Sequence, residues 1–190
     1  MEGGETGTVD ELTRLALAAG DGDRQALASF VRASQVEVWR LCAHLVDRGA
    51  ADDLTQEVYL RAVPALSRFR GDSSARTWLL TIARRTCADS LRRTIRQRRL
   101  MERVKHSTPT DDALEPDAAA HVSGLDDLVD QLAEERRSAF VMTQLLGLSY
   151  GETAEICGVP VGTIRSRVSR ARADLLRLLD DEQSDRAAQE

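Results

Sequence analysis

Nine cations crowd one stretch of this chain: Arg84, Arg85, Arg92, Arg93, Arg96, Arg98, Arg99, Arg103 and Lys105, against Asp89 and Glu102 alone. A second basic stretch, Val161 to Arg177, holds Arg165, Arg167, Arg170, Arg172 and Arg177 with the single acid Asp174. Between them lies a strip without Lys or Arg that carries Asp111, Asp112, Glu115, Asp117, Asp126, Asp127 and Asp130. Clustered guanidinium groups are suited to phosphates, because each phosphate they neutralise releases condensed counterions. The net charge of −5 taken alone argues against a nucleic-acid partner. A polyanion responds to the local sign, however, and two basic segments outweigh the sum.

Other chemistry is harder to find. Cys42, Cys87 and Cys157 stand singly among apolar neighbours, which suits small core residues and neither a disulfide framework nor a zinc site. His44, His106 and His121 are scattered. There is no Gly-rich phosphate loop and no nucleophile elbow. The expectation is a protein that is not an enzyme and takes no metal or cofactor. No apolar run reaches the roughly 18 residues a membrane span requires, and the start, MEGGETGTVD, lacks the basic and apolar parts of a signal peptide. The expected location is the cytoplasm.

The elements that must carry the arginines are helices. Pro is rare, Ala, Leu and Arg are abundant, and no alternating apolar pattern or hairpin turn appears. Residues 1–9 read as a disordered tail, and Asp10 caps a short helix to about Ala19. A second helix runs from Asp23 toward Gly49 on Leu27, Phe30, Val31, Val38, Leu41, Leu45 and Val46. A third covers about Ala51–Leu66, with Leu54, Val58, Leu60 and Val63 apolar and Pro64 near its end. The segment Phe69–Ser74 is a loop, and Ser73 or Ser74 caps a long helix from about Ala75 to Arg103.

The acidic stretch 106–123, with Pro109 and Pro116, reads as a flexible linker. Four more helices follow, near Leu125–Leu132, Glu134–Leu146, Tyr150–Cys157 and Val161–Leu179, and residues 181–190 read as a frayed tail. The fold is therefore expected to be all-α: two small helical domains, 10–105 and 124–180, joined by that linker.

Ser149-Tyr150-Gly151-Glu152 has the form of a capping box. Ala154, Gly158 and Ile164 then fall where a helix-turn-helix needs a small residue, a turn glycine and an inward apolar residue. On the second of these helices Val161, Ile164, Val168, Ala171, Leu175 and Leu179 gather on one stripe. Thr163, Ser166, Ser169, Arg170 and Arg177 project from the other side, with Arg165 and Arg172 flanking. Arg can take a guanine edge bidentately, while Ser and Thr serve phosphates or bases. The alternative is a solvated charged face, but the capping box and the turn spacing do not depend on those charges.

On the long helix, Arg85, Arg92, Arg96, Arg99 and Arg103 share one narrow arc opposite Leu79, Ala83, Cys87, Leu91 and Ile95. A solvated helix would mix Glu and Lys along such a face. Trp78 falls near the arc, where two roles stay open: stacking on an unpaired base, or wedging between helices.

Three blocks, DDLTQEVYLRAVPAL from Asp52, FRGDSSARTWLLTIAR from Phe69 and LSYGETAEICGVPVGTIRSRVSRAR from Leu148, resemble hallmark segments of the extracytoplasmic-function RNA polymerase sigma factors, in the family's order and spacing. The resemblance implies core RNA polymerase and promoter DNA as partners, leaves an anti-sigma factor open, and needs no membrane segment. It implies that Asp52, Asp53, Gln56 and Glu57 dock on the β′ clamp helices, with the β subunit also contacted. It assigns capture of a flipped base of the −10 element to Phe69, Arg70, Gly71, Asp72, Ser73 and Ser74, with Trp78, Arg85, Arg92 and Arg96 alongside. It assigns the −35 element to Thr163, Arg165, Ser166, Ser169 and Arg170. The linker would run toward the RNA path, its acids imitating RNA phosphates.

Arg85 stands where the family often has Asn, which leaves base reading and phosphate contact both open at that position. Ser169 is small where some members carry an aromatic. The implied function is an alternative sigma factor that recognises and melts promoters to direct transcription initiation. A dimeric operator-binding regulator would need a ligand pocket or phosphoacceptor in the N-terminal half. A protein-only adaptor leaves the arginine stripe and the reading helix unexplained.

Overall fold

The computed structural model describes the backbone of residues 10–105 and 124–187, and the side chains of 10–101 and 127–181. Its elements run in order α1 (Glu11–Gly20), α2 (Arg24–Leu45), α3 (Ala51–Ala65), a short 3-10 turn (Leu66–Arg68), α4 (Ala75–Lys105), α5 (Gly124–Asp130), α6 (Glu134–Phe140), a π-turn (Val141–Leu145), α7 (Tyr150–Cys157) and α8 (Val161–Ala187). No strand occurs among the described residues. The acidic segment 106–123, including Asp111, Asp112, Glu115 and Asp117, lies outside them.

Local chemistry sets most boundaries. Asp10 accepts from the Thr13 amide at 2.9 Å and caps α1; Asp23 accepts from Gln25 and Ala26 at the start of α2. Of the two serines before α4, it is Ser74 that accepts from the Thr77 amide. The Ala75 amide, another unpaired donor of that first turn, bonds Thr13 Oγ1 of α1 at 2.8 Å. A side chain 62 positions upstream thus fixes where the long helix begins. Three expected boundaries are corrected. Helix α2 stops at Leu45 rather than near Gly49, the Glu134–Leu146 segment switches at Val141 from α to π turns, and the last helix runs to Ala187, past the expected end near Leu179.

In the N-terminal unit Phe30, Val38, Leu41, Leu54, Val58, Leu79 and Leu80 are fully or almost fully buried. Cys42 and Cys87 sit in this core with sulfurs 3.7 Å apart, and Cys157 is half-buried. Gly20 packs against the turn after α3: a Cβ there would lie 2.6 Å from Leu66 O and 3.2 Å from Leu66 C. Both neighbours are backbone and cannot rotate away. Gly20→Ala is expected to cost about 1–3 kcal/mol by overpacking, measurable as a lower denaturation midpoint with unchanged slope.

Not every apolar residue went inward. On α3, Leu54 and Val58 are buried, but Leu60 is 75% exposed and Val63 36%. Leu60 is six residues past Leu54, about 240° around the helix, so it cannot share that buried stripe. On α4 burial persists to Cys87 and is gone by Ile95, where the helix leaves the core. On α8, Ile164, Val168, Ala171 and Leu175 are buried, while Val161 at its start and Leu179 beyond the buried stretch are exposed.

The two units are not held by the linker alone. Leu128, Val129, Leu132, Val141, Met142, Leu148 and Ile156 join one continuous apolar core with the N-terminal helices. A polar clamp spans the same seam. Arg76 of α4 grips Glu37 of α2 through Nε at 3.0 and 3.1 Å and through Nη2. Its Nη2 also donates to Leu146 O at 2.8 Å, and Nη1 lies 4.0 Å from Glu152. The Glu37 carboxylate holds the Arg76 pKa above its ordinary value. Arg76→Ala would leave Glu37 partly buried and unpaired. The expected outcome is a seam weakened by about 1–3 kcal/mol, seen as faster amide exchange around Leu146 while α2–α4 stay protected.

Candidate nucleic-acid and partner interface

The helix-turn-helix is built as its spacing predicts. The Glu152 amide donates to Ser149 Oγ at 3.1 Å, and the Ser149 amide donates to Glu152 Oε2 at 2.8 Å. Hydrogen bonding of the Glu152 carboxyl by the Ser149 side chain and amide holds its pKa below the usual range. Gly158 turns the chain at φ 66°, ψ 37°, a left-handed conformation open to glycine without strain. The Val159 amide then bonds Ala154 O and the Gly158 amide Glu155 O, both at 3.1 Å, closing α7 with the pair of bonds of a Schellman turn. Ala139, Ala154, Ile164 and Val168 form a small core beneath.

That core orients α8. Arg165, Ser166, Ser169 and Arg170 are exposed on its outer side and Thr163 is half-exposed. Ser166 Oγ donates back to Thr163 O at 2.9 Å, so its hydroxyl keeps its lone pairs for a ligand. Arg172, on the flank, donates to Gln144 Oε1 of the π-turn at 2.7 Å. Arg177 lies 3.6 Å from Asp174, which also pairs with Arg136.

In the N-terminal unit the loop before α4 places Arg70, Gly71 and Asp72 in solvent and leaves Phe69, Ser73 and Ser74 half-buried. Gly71 takes φ 75°, again a glycine conformation. Trp78 is half-buried against the core, its ring 5.1 Å from that of Phe69 at 43°. The two aromatics form one tilted pair at the root of the loop. Arg85, Arg92 and Arg96 are exposed along the arc above it.

The acidic face is less simple than its sequence. Asp52, Asp53 and Gln56 are exposed, but Asp52 Oδ1 accepts from Trp39 Nε1 at 2.8 Å. Glu57 is shared: Arg93 Nη2 lies 3.0 Å from its Oε1, and Arg61 Nη2 bonds the same oxygen. Partial burial pushes the Glu57 pKa up, but Arg93 and Arg61 outweigh it and hold the carboxyl below its ordinary range. Beside this face Leu60, Val63, Val31 and Tyr59 line an open apolar groove. Sequence reasoning missed the groove, and the position of Leu60 off the buried stripe was the signal for it. Among the described residues no group of His, Cys, Asp and Glu could hold a metal ion, and no helix is long and apolar enough to cross a membrane.

Residues 30–99 match the family described as Sigma-70 region 2, and residues 124–175 match Sigma-70, region 4. The chain is 48% identical over 178 residues to the ECF RNA polymerase sigma factor SigC of Mycobacterium tuberculosis (strain CDC 1551 / Oshkosh), covering 90% of this chain and 93% of that protein. It is 33% identical over 170 residues to the ECF RNA polymerase sigma-E factor of Escherichia coli (strain K12), covering 80% and 85%. Among solved structures it is similar to CnrH in complex with the cytosolic domain of CnrY, with a TM-score of 0.68 and 26% identity over 90% of this chain and 99% of that one. The sigma factor RpoE in complex with the anti-sigma factor NepR from Bartonella quintana gives a TM-score of 0.64 and 25% identity, over 82% and 98%.

Proposed function

Since this chain belongs to the ECF sigma factors of RNA polymerase, an alternative sigma factor that directs transcription initiation, we propose how its surfaces divide that work. The exposed face of α3, with Asp52, Asp53, Gln56 and Glu57, docks on the β′ clamp helices of core polymerase. Leu60 and Val63 supply an apolar margin to the same contact. The loop Phe69–Ser74 receives an unstacked base of the −10 element, and Arg85, Arg92 and Arg96 track the phosphates beyond it. The outer side of α8, with Thr163, Arg165, Ser166, Ser169 and Arg170, enters the major groove at the −35 element.

The observation that carries this reading is the helix-turn-helix, whose capping box and Gly158 turn hold Ser169 and Arg170 outward on α8. The protein performs no covalent chemistry. Binding energy drives base unstacking, which costs a few kcal/mol per step. The protein works in the cytoplasm. An anti-sigma factor is a fitting partner, because relatives of this fold are solved with such proteins.

Runoff transcription tests the reading. The protein is added to core polymerase with a promoter library, and transcripts are sequenced. Starts downstream of a common two-element motif are expected; a library transcribed no differently from core enzyme alone would overturn it.

A further inference from the structure

Glu57 stands at the meeting of two surfaces. It lies four residues after Asp53, on the same side of α3, and so belongs to the face assigned to polymerase docking. Its carboxylate also reaches α4, where Arg93 Nη2 is 3.0 Å away. Arg93 follows Arg92 of the exposed arginine arc and lies about 100° around the helix from it, on the flank of the stripe that faces DNA. A carboxylate bonded to a guanidinium occupies the place a phosphate oxygen would take.

The two arginines on Glu57 are not held alike. Arg61 also bonds Asp89 Oδ2 at 3.1 Å and Thr86 Oγ1 at 3.2 Å, so several neighbours fix it. Among the described residues Arg93 has its hydrogen bond to Glu57 alone, and its side chain is 49% exposed. If a competing cation approaches Glu57, Arg93 is the partner that leaves. Arg61 stays and keeps the α3–α4 contact intact.

We propose that Arg93 is a further DNA-binding residue, and that Glu57 is the positioning residue that withholds it until a cationic side chain of the polymerase takes its place. The proposal rests on the assignment of α3 as the docking face. Linkage makes the effect reciprocal: a phosphate that captures Arg93 leaves Glu57 readier for polymerase. An exposed pair sets the size of the effect, a few-fold in affinity rather than an all-or-none switch.

The test compares the full chain, free and saturated with core polymerase, in binding a fluorescein-labelled random-sequence single-stranded DNA by anisotropy over a salt series. In the free chain Glu57→Gln is expected to tighten binding by roughly two- to fivefold. The slope against salt should steepen by about 0.7, one more phosphate on a single strand. Adding Arg93→Gln should erase that gain, while Arg93→Gln alone changes little because Arg93 is already withheld. With polymerase bound, Arg93→Gln should weaken binding by a similar factor.

Asp53→Asn removes a neighbouring charge without touching Arg93. If it tightens binding as much as Glu57→Gln does, the gain is a general field effect and the proposal fails. It fails too if the gain survives in the Glu57→Gln/Arg93→Gln double variant. The docking assignment is tested separately by co-purification with core polymerase. Free-chain results as expected, with Arg93→Gln silent in the polymerase complex, would overturn the release step while leaving the Glu57–Arg93 pairing in place.

Discussion

Reversing Asp53 and Glu57 together to Arg is expected to abolish recovery of core polymerase with the protein. Truncating one partner of a desolvated charge pair at an interface costs about 2–5 kcal/mol. Reversal adds repulsion at two positions, so a loss of roughly a thousandfold or more follows from about 4 kcal/mol. Local costs are small by comparison. Asp53 lies in the first turn of α3, where an acid favours the helix dipole by about 0.3–1 kcal/mol. Arg at position 57 would face Arg61 and Arg93, so circular dichroism and a melting curve must accompany the binding measurement. Leu60→Asp gives an independent check, because that side chain is already 75% exposed and its replacement leaves the core untouched. Normal recovery of polymerase by both variants, with helicity intact, would show that α3 does not dock.

At the other end of the molecule, Arg170→Ala is expected to weaken binding of the upstream duplex by about 1–3 kcal/mol and to relax preference at one base pair. Arg170 is exposed in the N-terminal half of α8, within reach of base edges once that half lies in the groove. A bidentate contact to a guanine edge is worth this much discrimination. Arg177 lies two turns farther along and leans on Asp174 at 3.6 Å. Its replacement by Ala should act on every sequence alike and lessen salt dependence by about one ion. The measurement is a titration of the protein against single-base variants of the duplex over several salt concentrations. Equal, sequence-independent losses from both variants would remove base reading from Arg170.

The structure treats these two sites differently in one respect. The reading helix is almost entirely a product of local sequence. Ser149, Glu152, Gly158 and the inward residues Ile164 and Val168 all act within 20 positions of one another. Their spacing therefore predicts the orientation of Ser169 and Arg170 directly. The docking face is a tertiary product. Asp52 is engaged by Trp39 of α2, and Glu57 by Arg93 of α4, 36 positions away.

The amino-acid sequence by itself determined the all-α class, the two basic surfaces, the turn between α7 and α8, and the family. Each follows from patterns that a single helix or turn enforces: apolar periodicity, capping side chains, a glycine at positive φ, and the local density of like charge. Only the tertiary structure decided that the two helical units share a core and that Arg76 clamps them. It also decided that Leu60 lines a groove with Val31 of α2, that Trp78 pairs with Phe69, and that Arg93 is held by a carboxylate of another helix. The physical reason is that helical periodicity states which residues share a face and is silent on what that face meets. A charged side chain several bonds long finds its partner across helices, at separations no repeat in the sequence encodes.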